Sequence, residues 1–425
     1  MLEHFNLSFC EEYNYPKDIK EHFVKILEKI VSKNILSVIL VGSTSKGELA
    51  FDCKQNSLRI YSDYELLVVT KVPVNYYKRT LLRKELMQLS KNIYTDNPYF
   101  HIDFTCVSLC KLKKLPPTLF TFDARSRGKT IYGEEFISDI PVVNTDNLDF
   151  RNLNEILIWR LWSLLLYLPV ELFKGFSLKS ELEKRYSYII CKNVLDLTGW
   201  ILPYENILIS TVSERVAHIR KNYKNLKLSN IFEADFIYFL EECLEGKLRL
   251  KFNKNPQELY LQAIKYYFYS IRYLFYTHDY KYTDDDILLL LDTHSKDFFK
   301  NFTPKEKLLQ IAMFMQTIIF KRDKFDIKLS AVFNSNYGRI LRLLFYLHFS
   351  LCSIIDKSEV GSDYFDKAWS LAVELGIANI DLNVKLDRIS RLFCIKKSLS
   401  TFMLNSFYWI KSQEDLIEKT LDGCL

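Results

Sequence analysis

Glycine and proline are scarce, at 11 and 10 in a chain of 425 residues. That argues against an all-β protein built on many tight turns, and for long helices. Cysteine is sparse in pattern rather than in number. The nine, at Cys10, Cys53, Cys106, Cys110, Cys191, Cys243, Cys352, Cys394 and Cys424, form no CxxC pair and are odd in count. They read as reduced thiols, not a disulfide framework, and Cys106/Cys110 lack a Cys/His pair at zinc spacing. A basic leader with an apolar run is missing from MLEHFNLSFCEEYNYPKD, so no signal peptide is expected. The most apolar stretch, Ile156 to Phe173, is broken by Arg160, Pro169 and Glu171. It reads as a buried bundle helix, with no membrane partner. The expectation is a cytoplasmic protein.

A strong charge bias is missing too. The net charge of +6 suits an anionic ligand such as a nucleotide but is not the concentrated footprint of a dedicated nucleic-acid binder. What is present is hydrophobic bulk, 48% of residues with 31 Phe and 27 Tyr. That is enough for more than one core, and the length favours two or three domains.

The fold class expected is α+β. Up to about residue 145 the chain alternates helix and strand periods. Pro16–Lys33 carries Ile19, Phe23, Ile26, Leu27 and Ile30 at helical spacing. Ile35–Gly42 is a β-branched run ending in glycine, the pattern of a buried strand entering a loop. Leu58–Val72 reads as a second strand, Val74–Ile93 as a helix, and Tyr99–Leu109 as a third strand. From 146 to 425 the periodicity is helical, over 146–173, 179–202, 213–223, 256–276, 304–320 and 329–355. The division expected is therefore 1–145 and 146–425, with a subdivision near 280.

Three segments carry chemistry. Gly42-Ser43-Thr44-Ser45-Lys46-Gly47-Glu48 follows the first strand, and its small residues permit close approach of a phosphate to backbone N–H groups and the Ser43 hydroxyl. Alone, it is also a plain turn. Asp63-Tyr64-Glu65 places two carboxylates on one strand face. Such neighbours repel unless a cation lies between them, and Mg²⁺ takes hard oxygen ligands of this kind; the bland reading is a solvated strand end. Asp103 sits within the otherwise mostly apolar third strand, where an unpaired carboxylate is costly. A shared metal would partner it, and it could accept a proton from an attacking hydroxyl. His101, on the same face, reads as a flanking residue.

Together the order Gly42-Ser43, Asp63-x-Glu65, Asp103 resembles the polymerase-β-type nucleotidyltransferase superfamily. The string GS…GE…SDYE is most similar to the aminoglycoside nucleotidyltransferases and their bacterial relatives, and the likeness extends to about residue 135. Glu65 stands where many members have Asp, and FDCKQNSLRIY lengthens the loop before Asp63 as a candidate hairpin. The resemblance implies a nucleotidyltransferase fold with a small mixed sheet and flanking helices, followed by a large helical region. It implies transfer of a nucleoside monophosphate from a nucleoside triphosphate to a hydroxyl acceptor, with small molecules favoured over nucleic acid. Asp63, Glu65 and Asp103 would hold two Mg²⁺ (or Mn²⁺) ions, and Gly42 and Ser43 would cradle phosphates.

The resemblance also suggests a lysine from the helical part, for which Lys192 is the candidate. Arg185, Tyr188 and Lys192 share a helix face that also reads as a solvated amphipathic surface. The run 124–133 looks like the connector of relatives, its basic residues either reaching phosphate or lying in a solvated loop. The acids 284–286 read as a helix start, and 246–254 as a snorkelling surface segment in preference to a nucleic-acid contact. Two other functions stay open: transfer to RNA or protein, as in a toxin or defence component, and a non-catalytic helical scaffold.

Overall fold

The computed structural model describes residues 5–54, 57–74, 81–82, 84–86, 88–90, 100, 102–168, 180–280, 287–298, 337–355, 361–375, 377, 391–392, 394–396 and 398–399. His101, the acids 284–286 and the 304–320 helix lie outside the described residues, as do the ends of the helix expected over 74–93.

The chain is mixed α and β and divides into two compact units. One comprises Met1–Asp149, Leu202–Asn222 and Leu244–Lys251; the other comprises Phe150–Ile201, Tyr223–Cys243 and Phe252–Leu425.

In the first unit, α1 (Phe9–Glu12) and α2 (Lys17–Ile30) precede β1 (Ile35–Val41). Ser37 to Val41 are all buried, as a strand covered on both faces requires. A short helix α3 (Gly42–Ser45) follows, then the hairpin β2 (Phe51–Lys54) and β3 (Ser57–Ile60), in the segment marked as a candidate hairpin. The single strand expected over 58–72 is thus two, β3 and β4 (Tyr64–Thr70). The break at Tyr61–Asp63 is held by Tyr61 N–H donating to the Ala50 carbonyl (2.8 Å) and Ala50 N–H donating to Ser62 Oγ (3.1 Å). After β5 (Ile102–Ser108) come α4 (Leu109–Leu112), α5 (Leu119–Arg127) and β6 (Lys129–Gly133). The main sheet has the order β5-β4-β1-β6, with β1 antiparallel to β4 and β6 and β4 parallel to β5.

Alternation sorts the sheet into two faces. Val38, Leu40, Leu66, Val68, Ile102 and Phe104 pack with Ile19, Phe23, Ile26, Leu27 and Ile30 of α2. Ile39, Val41, Leu67, Val69 and Val107 pack with Leu112 and Ala124. The run 124–133, expected as a connector, is the end of α5 and the edge strand β6. Its cations are engaged: Arg125 donates to the Ile137 carbonyl (2.7 Å), Arg127 pairs with Glu214 (2.7 Å) and Lys129 pairs with Glu12. The first unit also holds α8 (Val212–Asn222), after α6 (Phe150–Leu166) and α7 (Ser180–Tyr204) in chain order.

The remaining described elements are helices: α9 (Asp235–Arg249), whose end from Leu244 belongs to the first unit, α10 (Pro256–Thr277), α11 (Ile287–Phe298), α12 (Tyr337–Ile355) and α13 (Gly361–Glu374). Helix α10 begins as its sequence directs, with Pro256 in the first turn and Asn255 Oδ1 accepting from Glu258 N–H (2.9 Å). The core of the second unit is aromatic, and several of its polar tips find partners. Trp200 Nε1 donates to Asn154 Oδ1 (2.9 Å), Tyr267 Oη to the Asn193 carbonyl (2.9 Å), and Tyr260 Oη lies 2.6 Å from His348 Nδ1. One described window, Gly338–Ile355, is long and apolar enough to cross a membrane by length and composition, and 72% of it is buried in the protein.

Candidate active site

The three acids expected to act together come from the start of β4 and from β5. Glu65 and Asp103 are direct register partners across the parallel pair, so their Cα atoms are separated by about one strand spacing, ~4.8 Å. Asp63 immediately precedes β4, two residues before Glu65, and all three are half-buried. The odd-numbered positions of β4 explain the arrangement. Val69 and Leu67 belong to the apolar face beneath α5, Glu65 continues that row, and Asp63 lies just before the strand, in the break after β3. The same row of β5 runs from Val107 down to Asp103.

Val41, the last residue of β1, is the register partner of Glu65, which brings Gly42 beside it. Gly42 has φ +71°, and a Cβ there would sit 2.6 Å from Glu65 Cδ and Oε2 and 2.9 Å from Oε1. The absence of a side chain thus forms a cradle in which the Glu65 carboxylate rests against backbone. Ser43 follows, half-buried.

Glu65 and Asp103 across the strand pair, with Asp63 two residues before Glu65, offer hard-oxygen ligands of the kind that Mg²⁺ takes. With the side chains as they stand, no group of three or more His, Cys, Asp or Glu closes into a coordination shell among the described residues. Glu65 is turned against Gly42.

Lys192 lies half-buried on α7 in the second unit. Its expected face is not a solvated one, because Tyr188 is fully buried and Arg185 half-buried.

Lys46 and Glu48, to which the sequence pattern assigns no role, both have nearly buried side chains. Lys46 Nζ lies 2.5 Å from Asp123 Oδ2 and donates to the Ser210 carbonyl (3.0 Å), and Ser210 Oγ donates to Asp123 Oδ1 (2.7 Å). The Glu48 carboxylate accepts from the backbone N–H groups of Val212 (3.1 Å) and Ser213 (3.0 Å) and from Ser213 Oγ (3.0 Å). Lys247 Nζ lies 3.7 Å from it. Burial opposes ionisation of Glu48, but Lys247 and the Ser213 and Val212 donors outweigh it and hold the carboxyl below its ordinary range. Lys247 is therefore a buried counter-ion at the end of α9, an exception within 246–254, where Arg249, Lys251 and Asn253 are exposed as the surface reading expects. The available signal was a charged pair flanking glycine in a loop that otherwise holds only small residues.

No family model, curated protein or solved structure matches this chain.

Proposed function

We propose that this chain is a cytoplasmic, Mg²⁺-dependent nucleotidyltransferase. It transfers a nucleoside monophosphate from a nucleoside triphosphate to the hydroxyl of a small molecule. The observation that carries the reading is the in-register pair Glu65 and Asp103, extended by Asp63 and set against the Gly42 backbone. The sequence order of these residues, glycine-serine loop then acid-x-acid then a third acid, supports the same reading.

Asp63, Glu65 and Asp103 would hold the metal, which when bound neutralises phosphate charge and polarises the α-phosphoryl group. Asp103 accepts the proton of the acceptor hydroxyl as that oxygen attacks the α-phosphorus. The bond from that phosphorus to the bridging oxygen breaks, and pyrophosphate leaves. Gly42 offers backbone close to the triphosphate and Ser43 a hydroxyl donor, so their part is positioning.

The test is pyrophosphate release from ATP, GTP, CTP and UTP with Mg²⁺ and a panel of hydroxylated acceptors. Asp63→Asn, Glu65→Gln and Asp103→Asn should each lower the rate more than about a hundredfold, beyond what loss of an outer-shell partner costs. Turnover that survives all three substitutions, or a wild-type protein that binds none of the four nucleotides, ends the proposal.

A further inference from the structure

The loop 42–48 is held from two sides. On one, two phenols take its carbonyls: Tyr13 Oη donates to the Ser45 carbonyl (3.0 Å) and Tyr15 Oη to that of Thr44 (3.2 Å). Ser45 Oγ also donates to the Gly42 carbonyl (3.0 Å). On the other, Lys46 and Glu48 reach into the segment 210–213, and their side chains are only 7% and 6% exposed. Gly47 between them has φ +74°, and a Cβ there would meet the Tyr13 ring at 2.8 Å. The turn that lets both charges enter the protein therefore requires glycine.

Buried ion pairs are poor stabilisers, because desolvation offsets most of the attraction. Two of opposite sign, two residues apart on one loop, give less stability than apolar packing would. They fix where the loop sits. We propose that Lys46 and Glu48 are positioning residues that clamp the loop so that Gly42 and Ser43 meet the triphosphate at a set distance from Glu65. The role rests on the nucleotidyltransferase reading. Neither side chain touches the nucleotide; each acts through the loop backbone.

The experiment compares wild type, Lys46→Met, Lys46→Arg and Glu48→Gln in full-length protein, with ATP, GTP, CTP and UTP as probes. Lys46→Met and Glu48→Gln should raise the nucleotide KM about tenfold with kcat within about threefold, a misplacement smaller than the ~1 Å that costs a hundredfold. Lys46→Arg should restore the KM to within about twofold, since it keeps the charge beside Asp123. Amide hydrogen exchange, which needs no activity, should accelerate across 42–48 in the Met and Gln variants and stay unchanged across 36–41. Folded variants with wild-type KM or wild-type loop exchange overturn the clamp while leaving the proposed function standing. A wild type that neither binds triphosphate nor releases pyrophosphate overturns the function, and the nucleotide role of the clamp with it.

Discussion

The Glu48 carboxylate lies 3.7 Å from the Lys247 ammonium, and each side chain is 6% exposed. Removing one partner from such a pair strands the other charge in a low-dielectric setting. Lys247→Met should therefore destabilise the protein by about 3–5 kcal/mol in urea unfolding. Adding Glu48→Gln to it should cost less than the two single changes summed. Additivity of the two would refute the coupling. Because the folded carboxyl titrates below its ordinary value, the stabilisation is present above the unfolded value of 4.5 and is lost as pH falls through the lower folded one. Glu48→Gln should flatten that acid limb.

Gly42→Ala tests the cradle. The added methyl meets Glu65 Cδ and Oε2 at 2.6 Å, and the left-handed backbone is strained for any L residue. The expected cost is about 1–3 kcal/mol, read as a lower melting temperature. In a Glu65→Ala background the steric part should vanish and the backbone part remain. An equal cost in both backgrounds would place the strain in the backbone alone.

His22 sets a second pH response. It is buried in the core beneath the sheet, with Nδ1 3.4 Å from Tyr64 Oη. Burial, followed by Lys25, pushes its pKa down to about 4 against the pull of Asp18 and Glu21. The folded ring binds its proton less readily than the unfolded one, so stability rises with pH between about 4 and 6.5 and falls on acidification. The ceiling on this contribution is about 3 kcal/mol. His22→Gln should reduce the slope of melting temperature against pH in that window. His348 in the second unit, also pushed down to about 4 by burial, should contribute to the slope that remains.

A fragment ending at residue 149 should be defective in a specific way. It keeps Lys46, Glu48 and Asp123 but lacks Ser210, Val212, Ser213 and Lys247, all members of the same compact unit. Limited proteolysis should cut it within 42–48 faster than it cuts the whole chain. Equal rates would show that the loop does not depend on those partners.

Local pattern by itself determined a good part of this protein. The β-branched run of β1 is a strand because both its faces are apolar, and α2 and α10 are helices because their apolar residues recur along one face. The three acids were legible because a carboxylate amid strand-forming residues stands out against its neighbours. Tertiary structure alone decided the rest. Lys129–Gly133 is polar and short, with Ile131 its buried residue, and becomes a strand because β1 offers it an open edge. The break between β3 and β4 depends on Ala50 bonding to Tyr61 and Ser62, which no periodicity records. Lys46, Glu48 and Lys247 look like ordinary surface charges in sequence. Their burial follows from partners far along the chain, and the chain folding back to supply those partners is a property of the packed unit, not of any local segment.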